Sequence, residues 1–117
     1  MGYRSEVAIK CEEKAYERLM ETCKELEFHP DKIYKDDEQY ILYWEWIKWY
    51  NWCDEPNSIE NVLSELDDLG DEPGYGYKFI RIGEETGDEE SETNNYDIEL
   101  WSIHKIDLPD NLEVVEQ

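Results

Sequence analysis

Asp88, Glu90, Glu92, Asn94 and Glu99 fall at positions 1, 3, 5, 7 and 12 of a calcium-loop template, a spacing that converges oxygens on one cation. The template also requires glycine where this chain has Thr93, and helical flanks where strand patterns stand instead. A specific calcium site is therefore not expected. Nucleophilic catalysis needs a Cys or Ser within reach of a base that a third group orients. Cys53 precedes Asp54, whose charge disfavours a thiolate, and His104 sits between Ile103 and Lys105 in an apolar strand pattern. Paired carboxylates could perform acid–base work in a cleft. With thirty-two acids in the chain, however, their proximity in sequence singles out no pair. No catalytic residue, metal or cofactor is expected, and the chain reads as a non-enzyme.

Cys11, Cys23 and Cys53 are odd in number, form no Cys-x-x-Cys, and lie at zinc-ligand spacing from neither His29 nor His104. They read as reduced thiols, which suits a cytoplasmic protein. No apolar run has the length of a membrane span, and residues 1–6 have no apolar core for a signal peptide.

The net charge is −21 over 117 residues. Residues 50–117 hold twenty acids against three bases, Lys78, Arg81 and Lys105. Solubility usually calls for a charge of only about 2–8 on a small domain. A surplus of this size costs a compact fold self-repulsion, repels nucleic acid and anionic membranes, and attracts basic clefts. At 39% hydrophobic and 14% aromatic content, the chain is nevertheless too apolar for a disordered acidic segment.

The elements that position these charges follow from periodicity. Residues 3–11 alternate, with Val7, Ile9 and Cys11 opposite Glu6 and Lys10, as a half-buried strand does. In residues 12–27, Ala15, Tyr16, Leu19, Met20, Cys23 and Leu26 form a helical stripe, while Glu13, Glu17, Glu21 and Glu25 line the outside. Pro30 closes that helix. Residues 31–34 suggest a short strand. Residues 40–50 suggest a central one, apolar on both faces, with a bulge or bend near Ile47. Asn57 and Glu60 have capping-box spacing ahead of a helix striped by Ile59, Val62, Leu63, Leu66 and Leu69, with Gly70 at its C-cap. Strands are expected at 77–82 and 96–106, joined by an acidic loop over 83–95.

The expected architecture is α+β: one domain over residues 1–108 and an acidic tail over 109–117. Its order fits the ferredoxin-like split βαβ plan, an antiparallel sheet with two helices on one face and one extra strand. The free sheet face needs a cover, for which the aromatics of 40–52 and Trp101 are candidates. A second copy could also supply it, so a homodimer is among the expectations.

Aromatics on such a sheet resemble base-stacking RNA-binding surfaces, but those depend on basic surroundings that are missing here. Carboxylates on alternate strand residues stand about 6.7 Å apart, and those at i, i+4 on a helix about 6 Å. Both spacings resemble successive phosphates of one nucleic-acid strand.

The opening Met1-Gly2-Tyr3-Arg4-Ser5-Glu6-Val7, the stretch Tyr43-Trp44-Glu45-Trp46-Ile47-Lys48-Trp49-Tyr50 and Phe79-Ile80-Arg81-Ile82-Gly83-Glu84 resemble segments of small acidic phage-encoded proteins. That resemblance implies a phage accessory protein working in the host cytoplasm. Several such proteins inhibit host defence, anti-CRISPR proteins among them. It carries no functional residue onto this chain.

The expected function is inhibition of a basic, nucleic-acid-handling host protein by nucleic-acid mimicry, with a CRISPR effector as the suspected partner. Neither direct nucleic-acid binding nor membrane binding is expected. The candidate contact acids are Glu60, Glu65, Asp67, Asp68, Asp71, Glu72, Glu84, Glu85, Asp88, Glu89, Glu90 and Glu92, with Trp49 and Trp52 as apolar anchors. The alternative is a small-ligand sensing module that uses the aromatic sheet face, as a monomer or a dimer.

Overall fold

The computed structural model describes residues 4–36, 38–47, 54–69, 72–84, 88–95, 98, 101–102, 106–107 and 113–115. The alternating segment forms β1 (Ser5–Glu12), and the striped segment forms α1 (Glu13–Leu26). Then come β2 (Lys32–Asp36), β3 (Gln39–Ile47), α2 (Asp54–Asp68) and β4 (Tyr77–Gly83). β5 (Glu89–Thr93), β6 (Trp101–Ser102), β7 (Ile106–Asp107) and β8 (Glu113–Val115) complete the chain.

A six-stranded antiparallel sheet runs β5-β4-β1-β3-β2-β8, and β6 and β7 form a separate antiparallel pair. The protein is thus α+β, with more strands in the main sheet than the sequence suggests. β1 lies between β3 and β4, in register Ile9 to Leu42 and Ile9 to Phe79. The expected bulge is present: Ser5 opposes Ile47 while Val7 opposes Trp44, so β3 carries an extra residue between them.

Both helices bury their stripes on one sheet face. Val7, Ile9 and Cys11 of β1, Leu42 and Trp44 of β3, and Tyr77 and Phe79 of β4 form a core with Ala15, Leu19 and Cys23 of α1. Ile59, Val62, Leu63 and Leu66 of α2 complete it. Phe28 stacks on Trp44 with ring centroids 5.6 Å apart. On the opposite face Ala8, Ile41 and Ile80 are also buried, with Tyr34, Tyr43 and Ile82 packed around them. β1 has β3 and β4 beside it in the sheet and helices above one face, so β7, which lies against β1, reaches it from the other face. The chain's own β6–β7 segment therefore contributes to the cover.

α1 ends on Glu27, which adopts the left-handed conformation (φ 53°, ψ 35°). The Glu27 amide donates to Lys24 O, and the Phe28 amide to Cys23 O at 2.9 Å, a Schellman closure three residues ahead of Pro30. α2 begins at Asp54 rather than after an Asn57 cap, because proline is tolerated in a first helical turn and acids favour a helix N-terminus. Gly70 and Pro109 lie outside the described residues. Three further expectations are corrected. The acidic loop contains β5, paired along β4; the last long strand is divided into β6 and β7; and residues 113–115 of the expected tail pair with β2.

Candidate functional site: an acid-lined seam between α2 and β5

The site begins with Arg81. It stands opposite Val7 and Glu90 in the ladder, so its side chain rises on the helical face. Nη2 donates to Asp88 Oδ1 and to Glu90 Oε1, both at 2.8 Å, and Nη1 donates to Ser5 Oγ at 3.0 Å. Nη1 also reaches Asp88 Oδ2 at 3.3 Å, making the Asp88 contact bidentate. The arginine is buried while its two carboxylate partners reach solvent. Burial opposes its charge, but the bonds it donates to Asp88 and Glu90 outweigh that and push its pKa up.

Glu60 projects from the first half of α2 toward this group. Its carboxyl is held above the usual carboxylate range, first by partial burial and then by the charges of Glu90 and Glu92, with Arg81 opposing. One turn-pair further along α2, Asp67 Oδ1 accepts the Tyr77 hydroxyl at 2.9 Å. Burial, that bond and the charges of Asp67 and Glu92 push the Tyr77 phenol well above the ordinary tyrosine range. Among the described residues, Glu60, Asp67, Asp88, Glu90 and Glu92 thus line one seam, with Arg81 as the base inside it.

The seam is built on a rigid frame. Asn94, just past β5, donates through Nδ2 to Leu66 O and to Tyr75 O, both at 2.9 Å, and accepts from the Tyr77 amide at 2.8 Å. Thr93 Oγ1 donates to Tyr77 O at 2.7 Å. These bonds tie the end of β5 to the last turns of α2 and the start of β4.

The remaining predicted acids are dispersed. Glu65 takes a two-pronged bond from Arg18 of α1, at 3.1 and 3.3 Å, and joins the two helices. Glu84 accepts the Arg4 amide at 2.9 Å. Asp68 and Glu72 are exposed at the end of α2 and beyond it, and Glu89 is exposed on the sheet face opposite the helices. Asp71, Glu85, Trp49 and Trp52 lie outside the described residues. Of the aromatics proposed for a ligand face, Trp44 belongs to the core, Tyr40 packs against that core, and Tyr43 is half-buried on the second face.

Arg81, Ser5, Tyr77 and Asn94 were not among the predicted site residues. Arg81 carried a signal: it is one of three bases in the acidic half and falls on the same strand face as Tyr77 and Phe79, between Ile80 and Ile82. Chemically, the seam can receive cationic side chains. Among the described residues no group of three or more His, Cys, Asp or Glu could hold a metal ion, and no helix is long and apolar enough to cross a membrane. Comparisons with protein families, characterised proteins and solved structures gave no match.

Proposed function

We propose that the chain is a non-enzymatic acidic ligand for a basic, nucleic-acid-handling protein, and that it excludes nucleic acid from that partner by mimicry. The observation that carries this reading is the seam itself: five carboxylates gather along regular secondary structure and only two of them, Asp88 and Glu90, bond its one buried guanidinium, in a chain of net charge −21. Fixed charges of one sign steer a basic partner and cost no ordering when it arrives. The segments that resemble phage accessory proteins favour a host-defence target in the cytoplasm, and an anti-CRISPR protein acting on a CRISPR effector is the specific form proposed.

The strand order β4-β1-β3-β2, with helices between β1 and β2 and between β3 and β4, supports a ferredoxin-like plan extended by β5 and β8. In this plan α2 returns to the sheet beside β4 and β5, which is how acids distant in sequence meet.

Competition tests the reading. A purified CRISPR effector is titrated with its DNA or guide RNA in the presence and absence of the chain. Mutually exclusive binding is expected, and a ternary complex with undiminished nucleic-acid affinity would contradict it.

A further inference from the structure

We propose that the outer edge of β5 is a docking site for an extended, basic strand of the partner protein, added to the sheet through the backbone of Ser91 and Thr93. The inference rests on the acidic-ligand reading above and names how the partner is held. β5 ends the sheet order, and residues 89–92 are exposed. The hairpin register fixes which backbone groups face outward. The Gly83 amide donates to Asp88 O at 2.8 Å, and the Asn94 amide to Tyr77 O at 3.4 Å. Bonded pairs alternate along an antiparallel ladder, so Arg81–Glu90 and Phe79–Glu92 belong to the bonded class. Ser91 falls between Glu90 and Glu92, and Thr93 between Glu92 and the bonded Asn94, so both direct their N–H and C=O groups away from β4.

Charge selects the occupant. A strand laid along β5 sets its alternate side chains beside Glu90 and Glu92 on the helical face, near Glu60. Lysine or arginine there meets carboxylates that now crowd one another. A second copy of β5 would bring glutamates against glutamates, which disfavours self-pairing. The sheet's opposite end is the three-residue β8, which offers a shorter backbone ladder. Strand addition draws affinity from main-chain bonds and specificity from alternate side chains, and β5 presents both.

The test uses the full chain and a blocked ten-residue peptide of alternating lysine and threonine, titrated calorimetrically at low salt. A second peptide has the same sequence and charge but is N-methylated at every other residue, removing the amides that pair. Ser91→Pro removes an amide that the β4–β5 ladder does not use, so the hairpin is retained; its melting temperature is the control. Expected are binding of the unmodified peptide and a loss of about tenfold or more both for the methylated peptide and for the variant. Equal affinity of the two peptides would overturn strand docking while leaving the acidic-ligand reading intact. No binding of either peptide would count against both. A dimer of the chain that Ser91→Pro dissociates would show that a second copy occupies the edge, and would also overturn the proposal.

Discussion

Arg81 grips Asp88 with both terminal nitrogens, Nη2 to Oδ1 at 2.8 Å and Nη1 to Oδ2 at 3.3 Å, across the turn of the β4–β5 hairpin. The pair holds an acidic strand with no apolar residue against the sheet. Removing the cation leaves Asp88 and Glu90 facing each other beside Glu60. Breaking a buried ion pair costs roughly 3–5 kcal/mol; both carboxylates reach solvent here, so Arg81→Ala should cost about 1–3 kcal/mol. Urea unfolding measures it, and a loss below experimental error would show that β5 is held by other means.

The crowding of Glu60 has a pH signature. Its folded pKa is raised, so its favourable contribution is complete below the unfolded carboxylate value and is lost as pH rises through the folded one. At neutral pH its charge therefore opposes folding. Glu60→Gln should stabilise the protein by about 0.5 kcal/mol at pH 7, and the gain should vanish as the pH is lowered toward 4. A destabilised variant at pH 7 would contradict the geometry of the seam.

Much of the fold was legible because the apolar periodicities are strong. Val7, Ile9 and Cys11 alternate, and Ala15, Leu19 and Cys23 repeat helically, and all six are buried. β5 was not legible, since Glu-Glu-Ser-Glu-Thr has no core-facing alternation and, Thr93 apart, no strand former; a cross-strand cation and a threonine hydroxyl hold it. For the same reason Glu60 and Glu92 could not be grouped by inspection: they meet only through the return of α2 over the sheet. Lys10 is buried, although alternation placed it on the outer face, because the second face is covered too.

Tyrosines should titrate late, Tyr43 and Tyr77 above all. Burial and hydrogen bonds to Glu6 and Asp67 push the phenols of Tyr43 and Tyr77 above the ordinary range. The stabilisation they bring is whole below the unfolded tyrosine pKa and falls away as pH rises through the folded values. Spectrophotometric titration should show a delayed phase that Tyr77→Phe diminishes, with a stability cost of about 1 kcal/mol at neutral pH. Normal ionisation of every tyrosine would contradict the Tyr77–Asp67 bond.

The end of α1 carries avoidable strain. Glu27 holds a left-handed backbone that glycine adopts without a Cβ penalty. Glu27→Gly should raise stability by about 0.5–1 kcal/mol, read as an increase in denaturation midpoint. A decrease would mean that the glutamate side chain contributes more than the backbone strain costs.

Burial also silences the thiols of α1 and β1. The Cys23 thiol is pushed up to about 12 and that of Cys11 is raised as well, so neither forms a thiolate at neutral pH. Alkylation of the native protein should spare both and reach them on unfolding. Rapid native labelling of Cys11 would contradict its place in the core.

The central claim is that the acidic surface exists to hold a basic nucleic-acid-handling protein. Its most direct test is capture from host lysate on the immobilised chain, at low and at moderate salt, with bound proteins identified by mass spectrometry and challenged with DNA and RNA. The expected result is recovery of one basic nucleic-acid-binding protein, weakened by salt and displaced by nucleic acid. Recovery of no protein at either salt would contradict the claim.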